Sequence, residues 1–477
     1  MKRYSLRALT AIRSDPTVPP MRRICPLLLL AACSTPDLVK RIHDAPTELW
    51  IANTDVIDVI TGSVARGRDV HIKSGLIAEI VPAGAAPAGA IDGRGASLIP
   101  GLIDAHVHIN SSGDPPWTSP RPDATRNLQS FLYCGVTTVF ETGGMSPDAF
   151  ELRDAVAAGK VLGPRIFTTG PLFTAPHGHP VPMLENGLPA ILEWYVIPRT
   201  TRQVGSVEEA NLAIDELAAL HPDAIKIVLD QIPNAVPELT QEIATAIVAR
   251  AREKGLRSVA HIGTTTDAIS AGEAGVAAWV HGIYKERIPD EAIARLAAYH
   301  IPMVPTLVVF EGYAVVGRAG RPTIPLERET VAAAALDARD HPPADVPMPE
   351  GGREFLKLLA SVGDVGLDNV KRLHAAGVTI LAGSDSQAFT YHGPGLHREL
   401  ALLAKVLTPI EVLRAATVSP ARFLTKMEDP PFGVIAPGKA ADLVLVEGDP
   451  LADVAALSKI RAVIAGGVKL ERLPLGH

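Results

Sequence analysis

The sequence predicts an α/β fold in which a (β/α)₈ TIM barrel adjoins a small β-sandwich domain formed from both ends of the chain. Apolar runs alternate with Ala-rich helical segments over residues 101–431, a pattern typical of repeated βα units. Short strand-like pieces with glycine turns occupy residues 44–100 and 432–474. Because such pieces are too short to be stable alone, we expect them to pair into one domain.

Eight apolar runs are the expected barrel strands, separated by helical segments. They lie near residues 102–108, 136–141, 165–170, 224–229, 257–262, 278–282, 302–307 and 378–384. Two connections, 170–206 and 310–366, are long. Both leave strand ends on the face where barrel active sites lie, so we expect them to shape a site.

Composition and charge narrow the class of protein. Of the 477 residues, 47% are hydrophobic, 20% charged and 4% aromatic, which is typical of a globular protein with an aliphatic core. The formal net charge is −7, and a nucleic-acid partner would require a basic face, so none is expected. Cys134 is the only cysteine outside the N-terminal segment and is predicted to be a small buried hydrophobe.

The N-terminal segment resembles an export signal. A basic start at residues 21–23 precedes a short apolar run, 24–33, that ends in small residues and Cys33. This run is too short to span a bilayer as a stable helix. We therefore expect residues 1–43 to be a signal and a tether. A buried helix over residues 24–33 is the alternative.

Leu30-Ala31-Ala32-Cys33 resembles the lipobox of bacterial lipoproteins. The resemblance implies cleavage before Cys33, lipidation of its thiol and a periplasmic protein anchored to the outer membrane. Membrane contact is then expected only through the lipid anchor. Met21 would be a better start than Met1, because the residues between them are polar and contain proline.

Polar residues follow several of the apolar runs. His106 and His108 are two positions apart on the first strand, so their side chains point to one face. Lys226 lies inside an apolar run, where an unpaired ammonium would be costly. The fifth, sixth and eighth runs end on His261, His281 and Asp385. A single such histidine is more often a core residue, and Lys226 could form a salt bridge, but together these residues predict a metal site.

Four motifs resemble the amidohydrolase superfamily, binuclear subtype, in its imidazolonepropionase-like and Xaa-Pro dipeptidase-like branch. The resemblance covers about residues 48–470. The motifs are Pro-Gly-Leu-Ile-Asp-Ala-His-Val-His at 100–108, Gly-Val-Thr-Thr-Val at 135–139, Pro-Gly-Lys-Ala-Ala-Asp-Leu-Val at 437–444 and Gly-Asp-Pro-Leu at 448–451.

The resemblance implies two divalent metal ions, with zinc as the expected metal. In this pattern His106, His108 and Asp385 bind the first ion, and His261 and His281 bind the second. Lys226, N-carboxylated, would bridge the two. Mononuclear relatives, which include deaminases, lack that lysine ligand.

The implied reaction is hydrolysis of an amide or peptide bond, in a dipeptide or an N-acyl amino acid. A metal-bridged hydroxide would attack, with Asp385 as general acid and base. His179 and His392 are expected to contact the small-molecule substrate. Ring opening of a cyclic amide or lactone is the alternative reaction. A third hypothesis is that the protein is a non-catalytic metal-binding lipoprotein. A homo-oligomer is compatible with the sequence.

Overall fold

A computed structural model describes residues 36–41, 48–314, 321–344, 346 and 351–476. The predicted export signal, the lipobox and Cys33 lie outside the described residues. No helix in the described part of the chain is long and apolar enough to cross a membrane.

The described strands, numbered in chain order, fall into three sheets. They are β1 (Val39–Arg41), β2 (Glu48–Ile57), β3 (Val64–Lys73), β4 (Leu76–Pro82), β5 (Ile91–Asp92), β6 (Ala96–Pro100), β7 (Leu102–Val107), β8 (Val136–Glu141), β9 (Arg165–Thr168), β10 (Leu172–Thr174), β11 (Thr201–Gln203), β12 (Ile225–Val228), β13 (Ser258–His261), β14 (Ala278–Val280), β15 (Met303–Val304), β16 (Leu443–Glu447), β17 (Ile460–Ala465) and β18 (Val468–Arg472).

The α-helices lie mainly between the parallel strands. They are α1 (Ala124–Tyr133), α2 (Asp148–Ala157), α3 (Val181–Gly187), α4 (Ala190–Thr200), α5 (Val207–Ala218), α6 (Gln241–Glu253), α7 (Thr265–Ala274), α8 (Asp290–Ala298), α9 (Leu307–Ala314), α10 (Pro325–Thr330), α11 (Ala333–Asp340), α12 (Gly352–Val362), α13 (Val365–Ala375), α14 (Pro394–Leu403), α15 (Pro409–Ala415) and α16 (Val418–Thr425). Short 3₁₀ turns occur at Pro116–Thr118 and Val454–Ser458.

Both ends of the chain form one mainly antiparallel sheet of nine strands, in the order β1-β18-β17-β16-β6-β2-β3-β4, with β5 beside β2. The predicted turn between Ile72 and Ile77 is confirmed as the β3–β4 hairpin. Its turn residues, Ser74 and Gly75, have φ of 51° and 79°, which matches the right-handed twist of the strands. Alternate residues such as Val70 and Ile72 are buried in a core of the sheet's own.

Two expectations for this region are corrected. The strands form one hydrogen-bonded sheet rather than two facing ones, and it curls back so that Leu76 pairs with Ala440, just before β16. Residues 39–41, expected within a tether, form β1 and pair with β18. The apolar residues Leu38 and Val39 explain this pairing, because they are 0% and 1% exposed.

The remaining strands form two parallel sheets, β7-β8-β9 and β11-β10-β12-β13-β14-β15. The predicted third strand is interrupted: β9 pairs with β8, and β10, beyond Gly170 (φ 63°), pairs with β12. Asp223 also donates its backbone N–H to the Thr168 carbonyl across 2.9 Å. Backbone pairing therefore continues from one sheet to the other at this margin.

At the opposite margin, the predicted strand 378–384 is absent as a regular strand. Isolated bridges pair Ile380 with Met303 and Ser386 with Val107. The ladder is broken because Ala382 donates its N–H to the Ala415 carbonyl at the end of α15. The predicted strand 302–307 shortens to β15, because the prolines at 302 and 305 lack the N–H group that a ladder requires.

Helices cover the parallel strands with one apolar face each, as α6 illustrates. The Thr240 hydroxyl accepts a hydrogen bond from the Ile243 N–H at its start. Ile243, Ile247 and Ala251 recur at helical spacing and are buried. Such packing holds the strands rigidly, which fixes the positions of the side chains at their carboxyl ends.

Candidate metal centre and the cavity beside it

The polar residues predicted at different strand ends converge at one edge of the parallel sheets. His106 lies in β7 and His108 directly follows it, and both point toward Asp385. The Asp385 Oδ1 atom is 3.3 Å from His106 Nε2 and 3.1 Å from His108 Nε2. Burial alone would raise the pKa of Asp385, but the histidines facing it hold that pKa well below its usual range.

Two more histidines complete this group. His281 follows β14, and its Nδ1 lies 3.8 Å from Asp385 Oδ2. Its ring centroid is 4.7 Å from that of His106 and 4.0 Å from that of His261, the last residue of β13. His281 and Asp385 have φ of 67° and 49°, in the left-handed region that residues other than glycine adopt uncommonly.

Lys226 lies in the middle of β12 and is 2% exposed. Burial lowers its pKa to about 7, and Asp385 is the charge that opposes this shift. Near neutral pH a substantial fraction of this amine is therefore uncharged, which makes it an available nucleophile or ligand precursor.

The donor set fits a divalent cation. Among the described residues, His106 Nδ1 has no hydrogen-bond partner and the buried Nε2 has only its 3.3 Å contact with Asp385, an arrangement that is costly unless another group binds the ring. Burial lowers the pKa of His106 to about 3, so the ring is neutral, as a metal ligand must be. One ligand atom each from His106, His281 and Asp385 lies within 4.8 Å of the others.

Hydrogen bonds behind these residues fix their orientation. The Asp104 carboxylate accepts bonds from the Ser384 N–H at 2.8 Å and the Ser384 hydroxyl at 2.6 Å, which holds the turn before Asp385. His281 Nδ1 lies 2.8 Å from the Thr306 hydroxyl, a contact that fixes the orientation of the ring. Such supporting bonds are typical of metal-binding histidines.

Asp230 is a site residue that sequence reasoning missed. It is 2% exposed, and its carboxylate lies 3.3 Å from His261 Nε2 and 2.6 Å from the Lys285 Nζ. It also accepts a hydrogen bond from the Tyr284 hydroxyl at 2.6 Å. Burial alone would raise its pKa, but His261 and Lys285 lower it. Asp230 follows the apolar residues 227–229, which is the same sequence signal that predicted several of the metal ligands.

Glu141, the last residue of β8, was also missed. Its side chain is 1% exposed, and it accepts a hydrogen bond from the Thr168 hydroxyl at 3.1 Å. Burial raises its pKa. It lines the cavity beside the metal centre, so it is a second buried acid within reach of a substrate.

The two predicted substrate contacts lie in different places. His179 lines the cavity, its ring centroid 5.1 Å from that of His261, and its Nδ1 is 3.1 Å from the Ile232 carbonyl. His392 differs from the expectation, because it is 4% exposed and its Nε2 lies 3.0 Å from the His108 carbonyl. It lies behind the backbone of His108 and is not among the described residues that line the cavity.

A cavity of about 630 Å³ opens onto the centre. Five of the six predicted ligands line it: His108, Lys226, His261, His281 and Asp385. Its outer wall comes from the two long connections, with residues of α3 on one side and of α9 and α12 on the other. This arrangement gives a small molecule access to the centre and encloses it in largely apolar surroundings.

Comparison with known proteins agrees with this architecture. The model of the amidohydrolase family matches residues 97–470. A solved Xaa-Pro dipeptidase with bound methionine is 25% identical, with a TM-score of 0.72 over 89% of this chain and 100% of that one. A prolidase complexed with N-methylphosphonate-L-proline is 26% identical, with a TM-score of 0.71 over the same shares.

Curated relatives match over shorter stretches. The enamidase of Eubacterium barkeri is 34% identical over 138 residues, 27% of this chain and 34% of that protein. An adenine deaminase of Serratia proteamaculans is 39% identical over 97 residues, 20% of this chain and 15% of that protein. These matches thus span only 34% and 15% of the length of the two relatives. The family match, in contrast, extends from β6 into β18, and the chain therefore belongs to the amidohydrolase family.

Proposed function

We propose that this protein is a metal-dependent hydrolase that cleaves an amide or peptide bond, with dipeptides and N-acyl amino acids as the first substrates to screen. The observation that carries the proposal is the convergence of His106, His281 and Asp385 beside a buried Lys226, at the mouth of a cavity. The prolidase-like neighbours support amide hydrolysis, since two of them are a dipeptidase and a prolidase.

We also infer that the two parallel sheets are arcs of one (β/α)₈ barrel. The backbone bond from Asp223 to Thr168 supports closure at one margin, and the bridges at Ile380 and Ser386 support it at the other. In such a barrel the strands' carboxyl ends surround one site, which is where the predicted ligands lie.

The proposed centre holds two divalent ions, with zinc as the expected metal for imidazole ligands. His106, His108 and Asp385 would hold one ion, His261 and His281 the other, and a carboxylated Lys226 would bridge them. The lowered pKa of Lys226 supports this, because only the neutral amine captures carbon dioxide. Bound ions of this kind lower the pKa of water and polarise the substrate carbonyl.

Side chains of the protein would carry out the proton transfers of the reaction. Asp385 is ionised at neutral pH, so its carboxylate can accept a proton from the attacking water and deliver it to the leaving amine. His179 is neutral, since burial lowers its pKa to about 3. With Nδ1–H donating to the Ile232 carbonyl, its Nε2 is left as an acceptor for a substrate N–H.

Metal content per chain tests the proposal most directly. We expect about two ions per chain by elemental analysis of protein produced with excess zinc and bicarbonate, because the proposed ligands would hold a pair of ions. The Lys226→Ala variant should retain one or fewer. Lys73→Ala, which removes an exposed lysine of β3, is the control and should retain two. One ion in the wild type would overturn the bridged pair and place cyclic amides and deamination substrates first.

A further inference from the structure

Aromatic side chains are concentrated along one side of the cavity. Aromatic residues make up only 4% of the chain, yet several of those described line this single space. We call them the aromatic wall: Trp117, Phe310, Tyr313, Phe355 and Phe389. They come from separate parts of the chain, namely the 3₁₀ turn before α1, helix α9, helix α12 and the loop after Asp385.

The rings of the wall are linked by direct contacts. The ring centroid of Phe389 is 5.5 Å from that of Trp117 and 5.7 Å from that of Tyr313, and Tyr313 is 6.1 Å from Phe355. These separations are typical of favourable edge-to-face and tilted aromatic pairs. Tyr284 links Phe310 to Phe355 at ring-centroid distances of 3.9 and 6.3 Å, so the rings form one connected group rather than isolated side chains.

The wall reaches the metal centre. Phe310 lies 6.1 Å from the ring of His281, centroid to centroid, and stacks at 3.9 Å on Tyr284, whose hydroxyl binds Asp230. A group resting on the wall would thus be next to the atoms that react. The distance between Phe310 and the metal centre suits a substituent that is attached directly to the scissile amide.

The wall presents mainly apolar faces, because the Trp117 N–H is already hydrogen-bonded and the Tyr313 hydroxyl carries no charge. The Trp117 indole N–H donates to the Ala338 carbonyl at 3.2 Å. Burial raises the pKa of the Tyr313 phenol, which is therefore neutral. Trp117, Phe310, Tyr313 and Phe355 are each only partly buried, and the cavity that they line is predominantly apolar.

From this surface we infer that the enzyme selects substrates that carry an aromatic ring, or an apolar group of similar size, next to the scissile amide. The inference rests on the proposed function and names its substrate class. Burial of a phenyl ring against such a wall excludes water from both surfaces, and that gain is available only to a substrate with a matching group. A substrate with a methyl group in that place would leave the wall facing water.

Binding of two uncleaved probes separates this inference from the proposed function. Hydroxamates bind divalent metal ions, so acetohydroxamate reports the centre alone, and phenylacetohydroxamate, whose ring is one methylene from the carbonyl, reports the centre and the wall. Calorimetric titration of the zinc-loaded protein should give roughly tenfold or more tighter binding of the phenyl probe. Phe355→Ala should reduce that ratio to about threefold or less and leave acetohydroxamate binding unchanged.

Two further variants serve as controls. Phe355→Leu keeps an apolar side chain where Phe355→Ala fails to fold, and it should reduce the ratio by a smaller factor. Trp194→Ala removes an aromatic side chain that is 72% exposed and outside the wall, so the ratio should stay at its wild-type value. Equal binding of both probes, or a ratio insensitive to Phe355, overturns the inference and leaves the proposed function standing. Binding of neither probe overturns both.

Discussion

Two buried aspartates at the same edge of the parallel sheets differ in how their charge is balanced. Asp230 and Asp385 are 2% and 3% exposed, and each contacts a histidine of the centre. Asp230 has a lysine of the chain beside it, since Lys285 Nζ is 2.6 Å away. The ion-pair partners of Asp385 among the described residues are imidazoles, and burial lowers the pKa of His106 and His281 so that they are neutral at pH 7.

This difference indicates which of the two aspartates has its charge balanced by a bound metal ion rather than by a residue of the chain. The histidines that are neutral at pH 7 and the partly uncharged Lys226 balance the Asp385 carboxylate less completely than Lys285 balances Asp230, so a bound cation would stabilise Asp385. Asp230 requires none, because Lys285 already neutralises it. We therefore assign metal binding and proton transfer to Asp385, and to Asp230 the role of orienting His261. The two positions should respond differently to the same substitution.

The largest expected effect is that of Asp385→Asn. The amide is similar in size but cannot accept a proton or balance the ions, so turnover should fall by roughly a thousandfold or more. The measurement is kcat on an amide substrate found by screening, with circular dichroism to show that the variant is folded. Turnover near that of the wild type in a folded variant would contradict the assigned role.

Asp230→Asn should have an intermediate effect. It leaves Lys285 without its counter-charge and weakens the contact that orients His261, so metal affinity should fall by roughly ten- to a hundredfold. Competition with a chelator measures this directly, without any substrate. Tyr284→Phe removes one hydrogen bond to the same carboxylate and should cost less.

A matched surface substitution is the control for this comparison. Asp429 is 81% exposed at its side chain and pairs with Lys439, far from any histidine of the centre in sequence. Asp429→Asn should leave metal affinity at its wild-type value. Equal metal affinity of Asp230→Asn and wild type would show that Asp230 does not orient His261.

The predicted metal ligands could be found from the sequence because polar residues at the ends of apolar runs are a strong sequence signal. His108, His261, His281 and Asp385 end or follow an apolar run, His106 and Lys226 lie within one, and parallel strands bring their carboxyl ends to one edge whatever the intervening loops do. Asp230 carries the same signal after residues 227–229, but it lies in no motif that pointed to it. His392 was misplaced because a loop histidine has no periodicity that fixes its direction, and its ring turns toward the His108 carbonyl.

The strand boundaries were harder to predict than the α/β class, which is confirmed. Gly170 interrupts the third strand, and that break depends on a positive φ rather than on any apolar pattern. The run 378–384 is apolar enough for a strand, yet its Ala382 N–H bonds to Ala415 in a distant part of the sequence. Hydropathy reports burial, but ladder pairing also depends on tertiary contacts that a local window does not contain.

A third buried carboxyl group extends the comparison, and its substitution should have the smallest of the effects described. Glu399 in α14 is 0% exposed, and it accepts a hydrogen bond from the Val308 N–H at 2.8 Å, while its Oε1 has no hydrogen-bond partner within the described part of the chain. Burial raises its pKa to about 8, and the neighbouring acids Asp104 and Glu311 add to that shift. The described residues place no cation beside Glu399 as Lys285 lies beside Asp230, so Glu399 stays protonated at neutral pH.

The sign of its pH dependence follows from linkage. The unfolded chain releases this proton near its usual pKa of 4.5, and the folded protein releases it near 8. Between these values the folded state holds the extra proton, so stability falls as pH rises through that window and levels off above it. Glu399→Gln removes this titration. Thermal unfolding from pH 5 to pH 9 should therefore show a smaller loss of Tm for the variant than for the wild type. Parallel curves would mean that Glu399 is ionised in the folded protein, and that a buried carboxylate here needs no cation of its own.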